Sequence, residues 1–282
     1  MPYADNDGVF LHYEVGGDGA VEPDAPVVLL SDAGYGPWQW GWQFSALAGP
    51  FEVVVPATRG TGDSDAPDQT ASDSDTSDSG ASESYSVETL AADLEAVLAD
   101  HGARKAHLVG AGLGGMVALR YALDFSRARS LSLLGTSPGG PRATPVADGL
   151  RERLAADPGD SASLRTSLEP VAGAELLETD DLVERIVSWR RDEDAAPAVQ
   201  RAHFDAMAEF DASDGLYEIT IPALVCHGDD DRVVPAEDGR LLADGLPKGE
   251  FAAFPGEHLF YVERSREVND ELVGFLTDRT EE

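Results

Sequence analysis

Lysine, cysteine and long apolar runs are scarce in this chain, and each shortage excludes a class of protein. Lys105 and Lys248 are the only lysines among 282 residues, and the formal net charge is −33. Such an acidic surface repels nucleic acid and anionic lipid, so we expect neither as a partner. It suits work at very high salt, where a Debye length of about 3 Å at 1 M screens the self-repulsion. We therefore expect a halophilic protein.

The single cysteine, Cys226, rules out an internal disulfide and is consistent with a reducing compartment. The first ten residues contain no basic or apolar segment of the signal-peptide type, and no apolar run approaches the roughly 18 residues of a membrane span. The histidines show no metal-ligand spacing. These observations predict a cytoplasmic protein without a membrane, metal or cofactor, and they leave its oligomeric state open.

Short apolar runs alternate with helical patterns along the chain. This alternation predicts an α/β protein with a mostly parallel central sheet flanked by helices. Between 138 and 211 the pattern is only helical, which predicts a helical cap (138–211) inserted into an α/β core (1–137 and 212–282). Residues 66–85 are predicted to form a flexible acidic loop, because 68–84 contain no lysine, arginine or large apolar side chain. The predicted strands are 9–15 (an edge strand after a turn at 6–8), 25–30, 51–56, 105–109, 130–135, 222–228 and 249–254, and the predicted helices include 86–102, 116–123 and one around 268–276.

The stretch VGAGLGG (109–115) matches two unrelated motifs. Gly110, Gly112 and Gly115 satisfy the G-x-G-x-x-G turn of dinucleotide-binding proteins. That fingerprint needs a carboxylate about 20 residues on, at the end of the next strand, and here the strand ends in Gly135-Thr136-Ser137. The same letters fit a nucleophile elbow, G-x-S-x-G-G, in which Gly112 stands in place of the serine.

Downstream segments favour the elbow. HGDDDRVVP places Asp231 just after one predicted strand, and PGEHLFYVE places His258 just after the last. The order Gly112, Asp231, His258 is the nucleophile, acid, base order of the α/β-hydrolase fold. With VVLLSDAGYGPWQW, VVVPATRGTGDSDAP and HLVGAGLGGMVALRYAL, the chain resembles the capped α/β-hydrolase family along nearly its whole length, close to the esterase, enol-lactonase and haloalkane-dehalogenase branch.

The resemblance implies roles for particular residues and shows where this chain departs from the family. His258 would be the base, Asp231 its acid partner, and the backbone N–H groups of Ala33 and Leu113 the oxyanion donors. Gly112 removes the attacking side chain, Ser31-Asp32 replaces the usual His-Gly, and Ala57 replaces an aspartate. Glycine also relieves the backbone strain of an elbow, about 1–3 kcal/mol for a residue with a side chain. Asp32, Trp38 and Trp189 are predicted to face a pocket under the cap, although tryptophans are more often core residues.

Three functions follow as hypotheses. The first is a non-hydrolytic homologue that binds a small apolar or ester-like ligand. The second is an enzyme in which the Asp231–His258 pair activates a water in the space beside Gly112, with a histidine pKa near the ordinary 6.5. The third and weakest is dinucleotide binding at Gly110 to Gly115.

Overall fold

The computed structural model describes residues 2–19, 21, 25–67 and 84–280. The centre of the predicted acidic loop, 68–83, lies outside these ranges, so its flexibility stays a prediction. Within the described residues an eight-stranded sheet runs in the order β1-β2-β4-β3-β5-β6-β7-β8. The strands are β1 Tyr3–Asn6, β2 Val9–Gly16, β3 Val27–Leu30, β4 Val53–Pro56, β5 Ala106–Ala111, β6 Ala128–Leu134, β7 Ala223–Gly228 and β8 Gly249–Phe254.

The sheet is mostly parallel, as predicted. Neighbouring strands from β4 and β3 through β8 pair parallel, whereas β2 pairs antiparallel with both β1 and β4. Strands β3 to β7 have nearly every side chain buried. Continuous apolar runs form such strands because helices cover both faces of a parallel sheet.

The predicted edge position of the strand at 9–15 is wrong. A preceding strand, β1, pairs with β2 through a turn in which Asp7 and Gly8 have positive φ angles, 51° and 87°. β2 is therefore the second strand of the sheet. With only four residues, β1 carries too little alternation of apolar and polar side chains to be recognised in sequence.

Helices cover the sheet and form the cap. The second helix is N-capped by the Ser86 side chain, which accepts a hydrogen bond from Thr89 N, and it ends at Gly102 with a left-handed φ of 83°. The helices are α1 Gly41–Leu47, α2 Val87–His101, α3 Leu113–Asp124, α4 Asp148–Leu154, α5 Ser161–Thr166, α6 Ala174–Leu177, α7 Asp180–Glu193, α8 Pro197–Glu209, α9 Ala236–Gly245, α10 Phe260–Glu263 and α11 Ser265–Thr280, with short 3₁₀ helices at Pro37–Trp40 and Leu216–Glu218.

The insertion between β6 and β7 contains helices α4 to α8. An isolated antiparallel bridge between Gly139 and Asp211 joins its two ends, close to the predicted limits of the cap. The division into core and cap at 138 and 211 stays a prediction. In the described part of the chain, no helix is both long and apolar enough to cross a membrane.

Candidate active site

Gly112 is the single residue between β5 and α3, and it makes the turn between them sharp. Its backbone angles are φ 47° and ψ −114°, a region that residues with side chains rarely adopt. A Cβ on Gly114 would overlap the backbone of Leu30, and a Cβ on Gly110 would overlap Gly114. The glycines of this stretch therefore allow β3, β5 and α3 to approach closely.

Asp32 follows β3 and turns its carboxylate towards this elbow. Its Oδ1 accepts hydrogen bonds from Ala33 N at 2.7 Å and from Leu113 N at 2.9 Å. These are the two backbone donors that the family resemblance assigns to the oxyanion hole. The chain's own carboxylate thus occupies both of them.

The same carboxylate fills the space where an elbow side chain would begin. A Cβ added to Gly112 would overlap Oδ1, Cγ and Oδ2 of Asp32. The sequence-based expectation of room for a water beside Gly112 is therefore wrong, because it did not include the direction of the Asp32 side chain.

His258 lies between two carboxylates. Its Nδ1 is 2.7 Å from Asp231 Oδ2, and its Nε2 is 2.9 Å from Asp32 Oδ2. Asp231 Oδ1 in turn accepts from the N–H groups of Val233 and Val234 at 2.8 and 3.0 Å. All three members of this Asp32–His258–Asp231 cluster are buried. The structure thus brings the predicted base and acid into contact and adds Asp32 as a second carboxylate.

The cluster favours a protonated histidine. Burial on its own lowers the pKa of His258, but the charges of Asp231 and Asp32 and their hydrogen bonds raise it to about 10. Burial raises the pKa of Asp231, yet the His258 charge and the bonds from His227 and His258 hold it well below its usual range. The expectation of an ordinary histidine pKa is therefore wrong, because a second carboxylate faces the ring.

The cap holds the loop that carries Asp32. Gly34 N donates to His203 Nδ1 at 3.0 Å, and Ala195 N donates to Gly34 O at 2.9 Å. Burial lowers the pKa of His203 to about 4, so its ring is neutral and can accept at Nδ1. Asp32 N donates to Gln39 Oε1 at 3.1 Å. Sequence reasoning gave His203 no role, since nothing in its local pattern shows which backbone group it meets.

A cavity of about 310 Å³ lies between the cap and the core, and one of its lining residues, Val234, donates its N–H to Asp231. Neither Asp32 nor His258 is among its lining residues. Its walls are mainly apolar and include Met116, Ser137, Phe204, Met207, Phe210 and Val234.

Trp38 and Trp189 line a pocket together, as predicted. They line a separate groove of about 280 Å³ whose walls also contain Glu14 and Glu193. Asp32 is not among the residues that line this groove, so the structure does not bring it together with the two tryptophans.

The glycine turn is unsuited to a dinucleotide. A pyrophosphate would need the N–H groups at the start of α3, and Leu113 N is already bonded to Asp32. A Cβ on Gly115 would overlap Thr136, so this glycine serves packing. Among the described residues, no group of three or more His, Cys, Asp or Glu side chains is arranged to hold a metal ion.

Comparison with known proteins identifies the relatives of this chain. A sequence model described as the alpha/beta hydrolase family matches residues 27–271. A protein of Azorhizobium caulinodans, provisionally named carbamate hydrolase RutD, is 29% identical to this chain. The alignment covers 98% of each of the two proteins. The crystal structure of the enol-lactonase from Burkholderia xenovorans superposes with a TM-score of 0.81 at 23% identity, covering 98% of this chain and 100% of that one. A hydrolase from Pseudomonas aeruginosa superposes with a TM-score of 0.79 at 25% identity, covering 98% and 97%.

Proposed function

We propose that this chain, which belongs to the alpha/beta hydrolase family, is a non-hydrolytic homologue. Its ligand would be a small apolar or ester-like molecule. The observation that carries the proposal is the Asp32 carboxylate on the oxyanion donors Ala33 N and Leu113 N. From the composition we also propose that the protein works in the cytoplasm at high salt concentration.

Asp32 opposes hydrolysis in two ways. The developing oxyanion of an acyl-transfer reaction needs both backbone donors, and it would have to displace a carboxylate that holds them and also contacts His258. If the carboxylate stayed, its negative charge would repel the oxyanion. Either outcome removes the electrostatic stabilisation on which this family's chemistry depends.

Ser31 and Ser137, two hydroxyls near the site in sequence, do not replace the missing nucleophile. Ser31 Oγ donates to Gly36 O at 3.4 Å, and Ser137 Oγ accepts from Gly139 N. The His258 ring bonds Asp231 and Asp32 instead of either serine. Loss of the nucleophile costs a comparable serine hydrolase about 10⁶-fold in turnover.

The cavity between cap and core supports ligand binding. Its volume of about 310 Å³ lies at the small end of the roughly 300–1,000 Å³ typical of ligand pockets. Its one charged lining residue, Arg151, already bonds Asp205 Oδ1 and Phe204 O. An uncharged ligand therefore fits best.

The enzymatic alternative is less well supported. A general base must be able to accept a proton, and a histidine with a pKa of about 10 is protonated at neutral pH. The dinucleotide hypothesis has still less support, because the pyrophosphate of a dinucleotide would meet the Asp32 carboxylate at the start of α3.

Labelling by a fluorophosphonate probe tests the proposal. We expect no adduct on the natural protein and no adduct on Asp32→Gly, which empties the oxyanion hole but has no nucleophile. Gly112→Ser alone should also stay silent, because its side chain would overlap Asp32. The double variant Asp32→Gly/Gly112→Ser should be labelled at position 112 and should hydrolyse short p-nitrophenyl esters at least about 10³-fold faster than the natural protein.

Two results would contradict the proposal. An adduct on any serine of the natural protein would identify a nucleophile in use. Ester or lactone turnover by the natural protein that disappears in His258→Ala would instead support the general-base enzyme.

A further inference from the structure

A groove of about 280 Å³ lies outside the Asp32–His258–Asp231 cluster, where helix α7 of the cap meets the core. We propose that this aromatic groove binds a small quaternary ammonium ion, a function that goes beyond the one proposed above and does not depend on it. The walls contain aromatic rings and two carboxylates, namely Glu14, Trp38, Trp40, Phe44, Trp189 and Glu193.

The rings suit a cation. Three of the four tryptophans of the chain line the groove, and the fourth, Trp42, packs edge-on against Trp189 with the ring centres 5.8 Å apart. Tryptophan is the aromatic residue that attracts cations most strongly. The Trp189 ring already carries one cation, since the Arg185 guanidinium lies 5.1 Å from its centre. Arg185 itself is not among the lining residues.

The negative charges of Glu14 and Glu193 also favour a cation in the groove. In the part of the chain that the structure describes, neither Glu14 nor Glu193 has a basic side chain within ion-pair distance. Glu193 is half-buried. Burial raises its pKa to about 7, and the charges of Glu14, Asp194 and Asp192 add to this against the opposing hydrogen bond from Trp38 N. A bound cation would relieve this concentration of negative charge.

The groove is held in shape by contacts within the chain. Trp38 N donates to Glu193 Oε2 at 2.6 Å, and Trp38 Nε1 donates to Asp194 Oδ1 at 2.7 Å. Arg185, Trp189 and Glu193 follow one another at intervals of four along α7, which places them on one face of the helix. A cation would therefore meet rings that need little reordering, which favours affinity.

The donor and acceptor balance selects a quaternary ammonium ion among organic cations. A primary ammonium carries three N–H donors and a guanidinium carries five, and each needs an acceptor when buried. The charged acceptors in the walls are only Glu14 and Glu193, and one oxygen of Glu193 is engaged by Trp38 N. A tetraalkylammonium has no N–H to satisfy, and its methyl groups can pack against the rings. The volume restricts the ligand to a small one.

Titration of the full chain with tetramethylammonium chloride and with choline chloride tests the inference. Ionic strength is kept constant with NaCl, and binding is followed by tryptophan fluorescence and calorimetry. The uncharged analogue of choline, 3,3-dimethylbutan-1-ol, has the same shape without the charge. We expect saturable binding of both cations with a Kd of about 1 mM or tighter, and binding of the analogue at least about tenfold weaker.

Variants locate the site. Trp189→Leu should weaken choline binding about fivefold or more through loss of one ring. Glu193→Gln and Glu14→Gln should each weaken choline binding about threefold, because each removes one negative charge. Glu14 is exposed, so its replacement leaves the packing intact. Glu152→Gln makes the same charge change at an exposed position of α4 away from the groove and should leave the Kd unchanged.

Three outcomes would overturn the inference. They are equal binding of the uncharged analogue, absence of saturation by about 100 mM cation, and an unchanged Kd in Glu14→Gln together with Trp189→Leu.

Discussion

The Asp32–His258–Asp231 cluster and the aromatic groove both carry negative charge, but they deal with it in opposite ways. In the cluster, each carboxylate meets His258 and backbone N–H groups, all supplied by the chain. In the groove, Glu14 and Glu193 line the same walls as the aromatic residues, and no basic side chain of the described residues pairs with them. The carboxylates of the cluster therefore have all their partners within the chain, whereas those of the groove can pair with a bound cation.

We propose accordingly that the family's site is closed by its own carboxylate and that the groove is open to a ligand. A charge buried among satisfied hydrogen bonds resists displacement, because removing one partner leaves the others unpaired. The half-buried carboxylate of Glu193 accepts a hydrogen bond from Trp38 N, a smaller network than that of the cluster. The catalytic position is therefore the less accessible of the two for a new ligand, although it carries the family's motifs.

The largest expected effect is that of filling the space beside Gly112. Gly112→Ala places a Cβ against the Asp32 carboxylate at a φ of 47°, so packing overlap and backbone strain add. We expect the free energy of unfolding to fall by about 3–5 kcal/mol. Urea unfolding in high salt measures it.

Gly274→Ala is the matched control for that change. Gly274 is an exposed residue of α11 with open space around its Cα. Alanine there should be neutral or stabilise by up to about 1 kcal/mol. Equal effects at the two positions would mean that Asp32 does not occupy the elbow.

The next effect is the pH dependence of stability that the protonation of His258 in the cluster produces. The folded-state pKa of His258 is raised to about 10 from the ordinary 6.5, so its contribution to stability is fully present below pH 6.5 and is lost as the pH rises through 10. Asp32→Asn removes one of the two carboxylates and should lower the pKa of His258 by about one unit or more. NMR titration of the imidazole measures this directly.

Melting temperatures between pH 6.5 and 10 complement the titration. The loss of stability starts near pH 6.5 in both proteins, but in Asp32→Asn it should end at lower pH, because it ends at the folded-state pKa of His258. Asp214→Asn, a charge removal at an exposed position, should leave the profile unchanged. A histidine that titrates near pH 6.5 in the natural protein would contradict the structure of the cluster.

The smallest effect is expected in the groove. The raised pKa of Glu193, about 7, means that its ionisation costs stability as the pH rises from 4.5 through 7. Glu193→Gln should therefore raise the melting temperature at pH 8 by about 2 °C and leave it unchanged at pH 4, since solvent screens a half-buried group. Glu152→Gln is again the control. A lower melting temperature in Glu193→Gln would show that the carboxylate stabilises the groove.

Much of the fold could be predicted because its signals are local. Apolar runs of strand length, Ser86 before a helix and Gly102 after it each depend on a few neighbouring residues. The four-residue β1 escaped prediction because so short a segment carries little pattern. The contact between His258 and Asp231 follows from the family's order of motifs, although their functional roles stay predictions.

The position of Asp32 could not be predicted in the same way. The sequence places a carboxylate near the expected oxyanion donors, but it does not determine where that carboxylate points. Its partners Leu113 N and His258 Nε2 are 81 and 226 residues away along the chain. The two carboxylates of the groove were not predicted for a similar reason, since Glu14, Trp38 and Glu193 come from three separate segments.

The amino-acid sequence by itself determined the alternation of strands and helices, the insertion of the cap and the absence of an attacking side chain at residue 112. These depend on hydrophobic periodicity and on the chemistry of single residues. Only the tertiary structure decided that Asp32 fills the elbow, that two carboxylates face His258 and that three tryptophans and two carboxylates line one groove. The direction of a buried side chain depends on donors and charges that other elements bring to it, and those distances exist only once the chain has folded.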